Sequence, residues 1–276
     1  MKGKLLFAAG LLAAALLVGA RASAQRAEDV TIPAAGGREI SAHLYVPEGA
    51  GPWPGVLVLP TMGSVVRSRA ESSDRAYAQA LAKEGFAALT AAFVHPSLKA
   101  RPHQPGTLED IAAAARWLKA RPEAKGKPLG AVGFSLGSIQ APRVAAQNPG
   151  LFQAIVGYYG LYNFETHPIR ERIKGPLPPD PVKLAGKVAA PVLILHGDAD
   201  DETRIDQATD FEKALKAAGK KVKLVVYPGA YHRFDRGPIE GSQSERSPAG
   251  HVYRLDEKAR DDAWKQTLAW LREHLK

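Results

Sequence analysis

Apolar and polar positions along the chain change period several times, and each change marks an element. Residues 38–47 alternate as a half-buried strand does, while Val56-Leu57-Val58-Leu59, closed by Pro60, is a continuous apolar run suited to a strand covered on both faces. From 73 to 83 the period lengthens, with Ala76, Tyr77, Ala80 and Leu81 on one face of a helix that stops at Gly85. Residues 86–92 return as a strand. Leu108, Ile111, Ala115 and Leu118 then form the stripe of a second helix, with Thr107 as its cap, Asp110 three residues on, and Arg121-Pro122 at its end.

The same reading predicts strands over 129–134, 152–158, 192–195 and 222–227, and helices over 136–147, 206–218 and 261–275. Pro142, inside the 136–147 helix, removes a backbone bond to the Ser138 carbonyl and is expected to bend it. About eight strands interleaved with helices predict the α/β class: one doubly wound, mostly parallel sheet over residues 25–276 rather than two domains. Residues 161–187, rich in Pro and charge, and 233–254, rich in Gly, Ser and Pro, show no such period. Each is either the cover of an active site or an ordinary surface excursion.

Composition adds a compartment. A chain of 276 residues with 45% apolar content can bury a sizeable core. Its first 24 residues differ from the rest: Lys2 and Lys4, an apolar stretch over 5–20 broken by Gly10 and Gly19, then Ala22-Ser23-Ala24. A short positive flank, an apolar segment and small residues at −3 and −1 describe a cleavable secretory signal, so the expectation is cleavage after Ala24, export to the periplasm or beyond, and no stable membrane insertion afterwards. Cysteine is absent, which excludes disulfides, thiolate metal sites, a cysteine nucleophile and a lipid-accepting Cys at the processing site. Loss of the three cations Lys2, Lys4 and Arg21 takes the formal charge from +9 to +6. The remaining basic residues, such as Arg38, Arg67, Lys99, Arg143 and Lys220, are scattered and give no nucleic-acid-binding pattern.

The candidate chemistry begins at Gly133-Phe134-Ser135-Leu136-Gly137. A Gly-x-Ser-x-Gly match carries little weight alone in a chain with 26 glycines, so context decides. Here it joins the end of a predicted strand to the start of a predicted helix, the setting of a nucleophile elbow, whose sharp backbone tolerates only small residues two positions either side of the serine. A serine hydroxyl needs a base to take its proton and a carboxylate to orient that base, following in the order Ser, Asp, His after late strands. His196-Gly197-Asp198-Ala199-Asp200-Asp201 follows the 192–195 strand and supplies the carboxylate, with Asp200 preferred, Asp198 the better rival and Asp201 the third choice. A merely solvated acidic turn is the plain alternative. His232, in Pro228-Gly229-Ala230-Tyr231-His232-Arg233-Phe234 after the 222–227 strand, is the candidate base. His43, His95, His103, His167, His196, His251 and His274 fit that role less well by chain order or setting. For the oxyanion, the amide of Leu136 is one expected donor, and an amide in Pro60-Thr61-Met62-Gly63-Ser64 the other, Met62 ahead of Thr61.

With these residues in place the chain resembles the dienelactone hydrolase family of α/β-hydrolases over nearly all of residues 25–276. The resemblance rests on the elbow, on His196-Gly197-Asp198-Ala199-Asp200, on Tyr227-Pro228-Gly229-Ala230-Tyr231-His232-Arg233-Phe234, and on the ending Ala259-Arg260-Asp261-Asp262-Ala263-Trp264 through Thr267-Leu268-Ala269-Trp270-Leu271. It supports Ser135, Asp200 and His232 by position. Two departures stand out: dienelactone hydrolase proper carries a cysteine nucleophile and an acidic residue after its first long central strand, where this chain has Ser135 and the neutral Pro60-Thr61-Met62. Ser138 also replaces the second glycine common after the elbow, either lining the pocket or bonding local backbone.

The reading is therefore a serine hydrolase of small-molecule carboxylic esters or lactones, working through an acyl-enzyme with no metal or organic cofactor. Two rivals share the fold: a peptidase or amidase related to the prolyl oligopeptidases, disfavoured because this length has no propeller or large lid domain, and a non-catalytic binding protein.

Overall fold

The computed structural model describes residues 25–61, 73–91, 105–172, 177–237, 245–247 and 249–276. Residues 1–24, with the expected signal, and Met62 lie outside them, as do His95 and His103. Among the described residues, one sheet holds β1 (Gln25–Ala34), β2 (Arg38–Pro47), β3 (Gly55–Leu59), β4 (Ala87–Ala91), β5 (Leu129–Phe134), β6 (Ala154–Tyr158), β7 (Val192–Gly197) and β8 (Val222–Tyr227). Their order is β1-β2-β4-β3-β5-β6-β7-β8. Strand β2 runs antiparallel to β1 and β4, and the other pairings are parallel.

The helices are α1 (Ser73–Lys83), α2 (Pro105–Ala120), α3 (Leu136–Gln147), the short α4 (Ile169–Arg172) and α5 (Pro181–Leu184), α6 (Ile205–Ala217) and α7 (Glu257–His274). Period-2 alternation explains why both sheet faces are covered. Leu57, Leu59, Leu89, Ile155 and Ile194 pack with Ile111 and Leu118 of α2, Val144 of α3 and Phe211 of α6. Val56, Val58, Ala88, Val132, Val156 and Leu193 point the other way, onto Ala78 and Leu81 of α1 and Ala263 and Leu271 of α7. Each such buried Val, Leu or Ile contributes about 1.5–3 kcal/mol, which is why the central strands read as unbroken apolar runs.

The topology also sets where a ligand can bind. From β3 the chain crosses to β4 on one side and then returns to β5 on the other, so the strand order reverses between β3 and β5, where crevices form beyond the carboxyl ends. The register pairs Leu59 with Gly133, so Thr61 and Ser135 each lie two residues past that shared edge.

Some expectations are corrected. Strand β1 adds a member that no apolar run announced; half of it is exposed and only Ile32 is buried, as befits an edge strand. Helix α2 begins at Pro105, which suits a first helical turn, so Thr107 lies inside the helix rather than capping it, and the buried Asp110 carboxylate instead accepts two bonds from Arg38, at 2.8 and 2.6 Å. Helix α7 starts at Glu257, four residues before the predicted boundary, with Asp256 capping the amide of Ala259 at 3.0 Å. Helix α3 runs on through Pro142; residues 136–146 of it are buried on all sides, so packing holds what the lost backbone bond does not.

Candidate active site

Steric limits build the elbow. Ser135, between β5 and α3, has φ 50° and ψ −106°, a conformation costing roughly 1–3 kcal/mol that its surroundings must hold. They do so through backbone bonds from the Ser135 amide to the Tyr158 carbonyl and from the Ser138 amide to the Ser135 carbonyl, both 3.0 Å. A Cβ on Gly133 would sit 2.4 Å from the Gly137 carbonyl, and one on Gly137 would sit 2.2 Å from the Leu59 carbonyl, so the turn closes only with glycine at both positions. Ser138 is buried, its hydroxyl donating to the Gly133 and Tyr158 carbonyls at 2.7 and 2.9 Å; it bonds local backbone rather than lining a pocket. The Leu136 amide opens α3, at the end of a helix where the first amides have no partner within the helix.

The loop after β8 brings His232 to Ser135, with 3.2 Å between His232 Nε2 and Ser135 Oγ. His232 Nδ1 lies 2.7 Å from Asp200 Oδ2. An ionised carboxylate only accepts, so Nδ1 donates to it and Nε2 is left to accept the serine proton. Asp200 itself is anchored in the loop after β7: Oδ1 accepts from the amides of Glu202 and Thr203 at 2.9 and 2.8 Å, and Oδ2 accepts from Thr203 Oγ1 at 2.9 Å. The other acids turn elsewhere. Asp198 is exposed and accepts from the Gly229 amide at 2.6 Å, and Asp201 accepts from the Val252 amide at 3.1 Å. Both loops are locked together by bonds from the Asp198 and Ala199 amides to the Tyr227 and Ala230 carbonyls, and a Cβ on Gly197 would meet the Ala230 oxygen at 2.1 Å.

Asp200 and His232 are both buried. Burial opposes ionisation of the Asp200 carboxyl, yet the His232 charge, its hydrogen bond, His196 and the Thr203 amide together hold it below the usual carboxylate range. Burial likewise opposes an imidazolium at His232, but the Asp200 and Glu202 carboxylates outweigh it and lift the imidazole above its ordinary 6.5. Behind the site, the buried Arg236 guanidinium pairs with Asp74 of α1 at 2.8 Å and Asp235 at 3.0 Å and lies 4.0 Å from the centre of the Phe134 ring. Asp235 also accepts from the hydroxyls of Tyr77 and Tyr159. The loop that carries His232 is thereby tied to the strand that ends at the Ser135 turn.

Both unpatterned stretches reach this site. Leu161 and Phe164 pack on Leu136 and Ile139 in the first turn of α3, and Tyr253 sets its ring 5.6 Å from that of His232. Thr61, the second choice for an oxyanion donor, is buried just past β3. Several supporting residues had no sequence signal strong enough to name them. Thr203 and His196 brace Asp200, and the Tyr159 ring stands 4.7 Å from His232. Only the Thr three positions after Asp200 was legible in principle, as a side chain able to close an Asx-type turn. Among the described residues, no group of three or more His, Cys, Asp or Glu side chains is placed to hold a metal ion.

Known proteins bear on this arrangement. A Methylorubrum extorquens protein provisionally named carboxymethylenebutenolidase is 29% identical over 268 residues, spanning 90% of this chain and 81% of its own length. The provisionally named dienelactone hydrolase of Klebsiella pneumoniae subsp. pneumoniae superposes with a TM-score of 0.71 at 26% identity, over 91% of this chain and 99% of that one. An acylaminoacyl peptidase from Pyrococcus horikoshii has a TM-score of 0.69 at 17% identity over 91% of this chain and 42% of that one, a likeness of fold alone. Matched by the profile of the Dienelactone hydrolase family over residues 40–275, a span that takes in β3 to β8, the elbow and both loops, the chain belongs to that family of hydrolases.

Proposed function

We propose that this protein is an exported serine hydrolase that cleaves small-molecule carboxylic esters or lactones by two-step acyl transfer. Ser135 attacks the carbonyl as His232 takes its proton, Asp200 holds the imidazole in the required tautomer, and the amides of Leu136 and Met62 receive the oxyanion. His232 then protonates the leaving oxygen, and water, activated by the same base, hydrolyses the acyl-enzyme. The observation that carries this reading is the alignment of Ser135 Oγ, His232 and Asp200 through contacts of 3.2 and 2.7 Å beside a strained elbow.

A panel of p-nitrophenyl esters, simple lactones and peptide p-nitroanilides tests the bond class. Turnover of esters or lactones with kcat/KM at least about 100-fold above the anilides is expected; turnover of anilides alone would move the assignment to peptidase chemistry. The neutral imidazole is the active base, and its raised pKa places the acid limb of kcat/KM above pH 6.5, activity being lost as the pH falls through it. A flat profile between pH 5 and about 8 would contradict His232 as base.

Export rests on Lys2, Lys4, the apolar stretch over 5–20 and Ala22-Ser23-Ala24. Sequencing the N-terminus of protein recovered from outside the cytoplasm is expected to read from Gln25. An intact Met1 would overturn it.

A further inference from the structure

One charged group at the reacting edge of His232 has no part in the mechanism above. Glu202 Oε2 lies 3.8 Å from His232 Nε2, the same nitrogen that faces Ser135 Oγ. Its side chain is 31% exposed. It is also held in place: the Tyr253 hydroxyl donates to Oε2, Tyr253 forms a backbone bridge with His232, and the Glu202 carbonyl contacts His167 Nε2 at 2.8 Å. Arg233 donates to the Gly237 carbonyl at 3.0 Å and lies 5.6 Å from the centre of the Tyr253 ring.

Resting on the reading of Ser135 as nucleophile and His232 as base, the geometry of the leaving group follows. When the tetrahedral adduct collapses, the bond from carbon to the alcohol oxygen breaks, its electron pair stays on that oxygen, and the proton on Nε2 passes to it. The leaving oxygen must therefore come within hydrogen-bond reach of Nε2, which puts the alcohol's next few atoms beside the Glu202 carboxylate.

We infer that Glu202 is a specificity-determining residue on the leaving-group side, favouring esters whose alcohol carries a cationic group and rejecting those whose alcohol carries a carboxylate. The class it selects is the ester of an amino alcohol. A unit charge about 6 Å from a partly exposed carboxylate gives a preference of about tenfold over a neutral alcohol of the same shape, and a similar penalty for an anionic one.

The test uses the full mature protein at pH 8 with three acetate esters: acetylcholine, its neutral isostere 3,3-dimethylbutyl acetate, and O-acetylglycolate. Wild-type kcat/KM is expected to fall by about tenfold at each step in that order, chiefly through KM. In Glu202→Gln the three values should converge to within about threefold, and the acid limb of the neutral ester's profile should move to lower pH, because the imidazolium is left facing Asp200, Arg233, His196, Tyr159 and Tyr253 without Glu202. Tyr253→Phe, which frees the carboxylate without removing it, should give intermediate discrimination. Unchanged ratios in Glu202→Gln, or a wild-type preference for the glycolate ester, would overturn the inference. Loss of all turnover in Ser135→Ala alongside unchanged ratios in Glu202→Gln would sink this inference alone, whereas turnover persisting in Ser135→Ala would sink the reading beneath it.

Discussion

Ser135→Ala is expected to lower kcat/KM for the best ester by at least about 10⁴-fold while leaving the thermal transition close to that of the wild type. The side chain and the backbone at this position do separate jobs. Positive φ at residue 135, the glycines at 133 and 137 and the bond to the Tyr158 carbonyl all survive replacement of one hydroxyl, so the elbow still forms. The one atom placed 3.2 Å from His232 Nε2 to attack a carbonyl is gone. Steady-state assays with a parallel melting curve check both halves. A loss smaller than about tenfold in a folded variant means that the nucleophile lies elsewhere.

The second large effect decides between neighbouring acids. Asp200→Asn should cost roughly 10³–10⁴-fold in kcat, since an amide can present its NH₂ to Nδ1 and stabilise the tautomer that cannot accept the serine proton. Asp198→Asn should stay within about threefold. Asp198 is exposed, and among the described residues its side chain bonds the Gly229 amide alone, a bond that the asparagine carbonyl can still accept. Equal losses in the two variants, or a larger loss at Asp198, would reassign the carboxylate.

These contrasts mark how far the sequence could be read. Strands β3 to β7 were legible because parallel strands covered on both faces must be apolar at every position, and helix α1 because one face alone is buried. Strand β1 was not, because it takes its place by pairing with β2 while only one of its side chains is fully buried. The elbow was legible for a steric reason that leaves a local mark: no side chain fits at 133 or 137. The carboxylate was only half legible. Asp198, Asp200 and Asp201 share one turn, and what singles out Asp200 is a set of bonds to Thr203 and His232 that exists only in three dimensions. Glu202 and Tyr253, 51 residues apart in sequence, meet only because the stretch after His232 folds back along it, and no periodicity marks such a return.

The central claim is that Ser135 is an activated nucleophile, and covalent capture tests it most directly. Incubating the folded protein with a fluorophosphonate and mapping the adduct by mass spectrometry should place one phosphonyl group on Ser135, with labelling abolished in Ser135→Ala and strongly slowed in His232→Ala. An unlabelled wild-type protein that is folded, or an adduct carried on any other residue, would contradict the account.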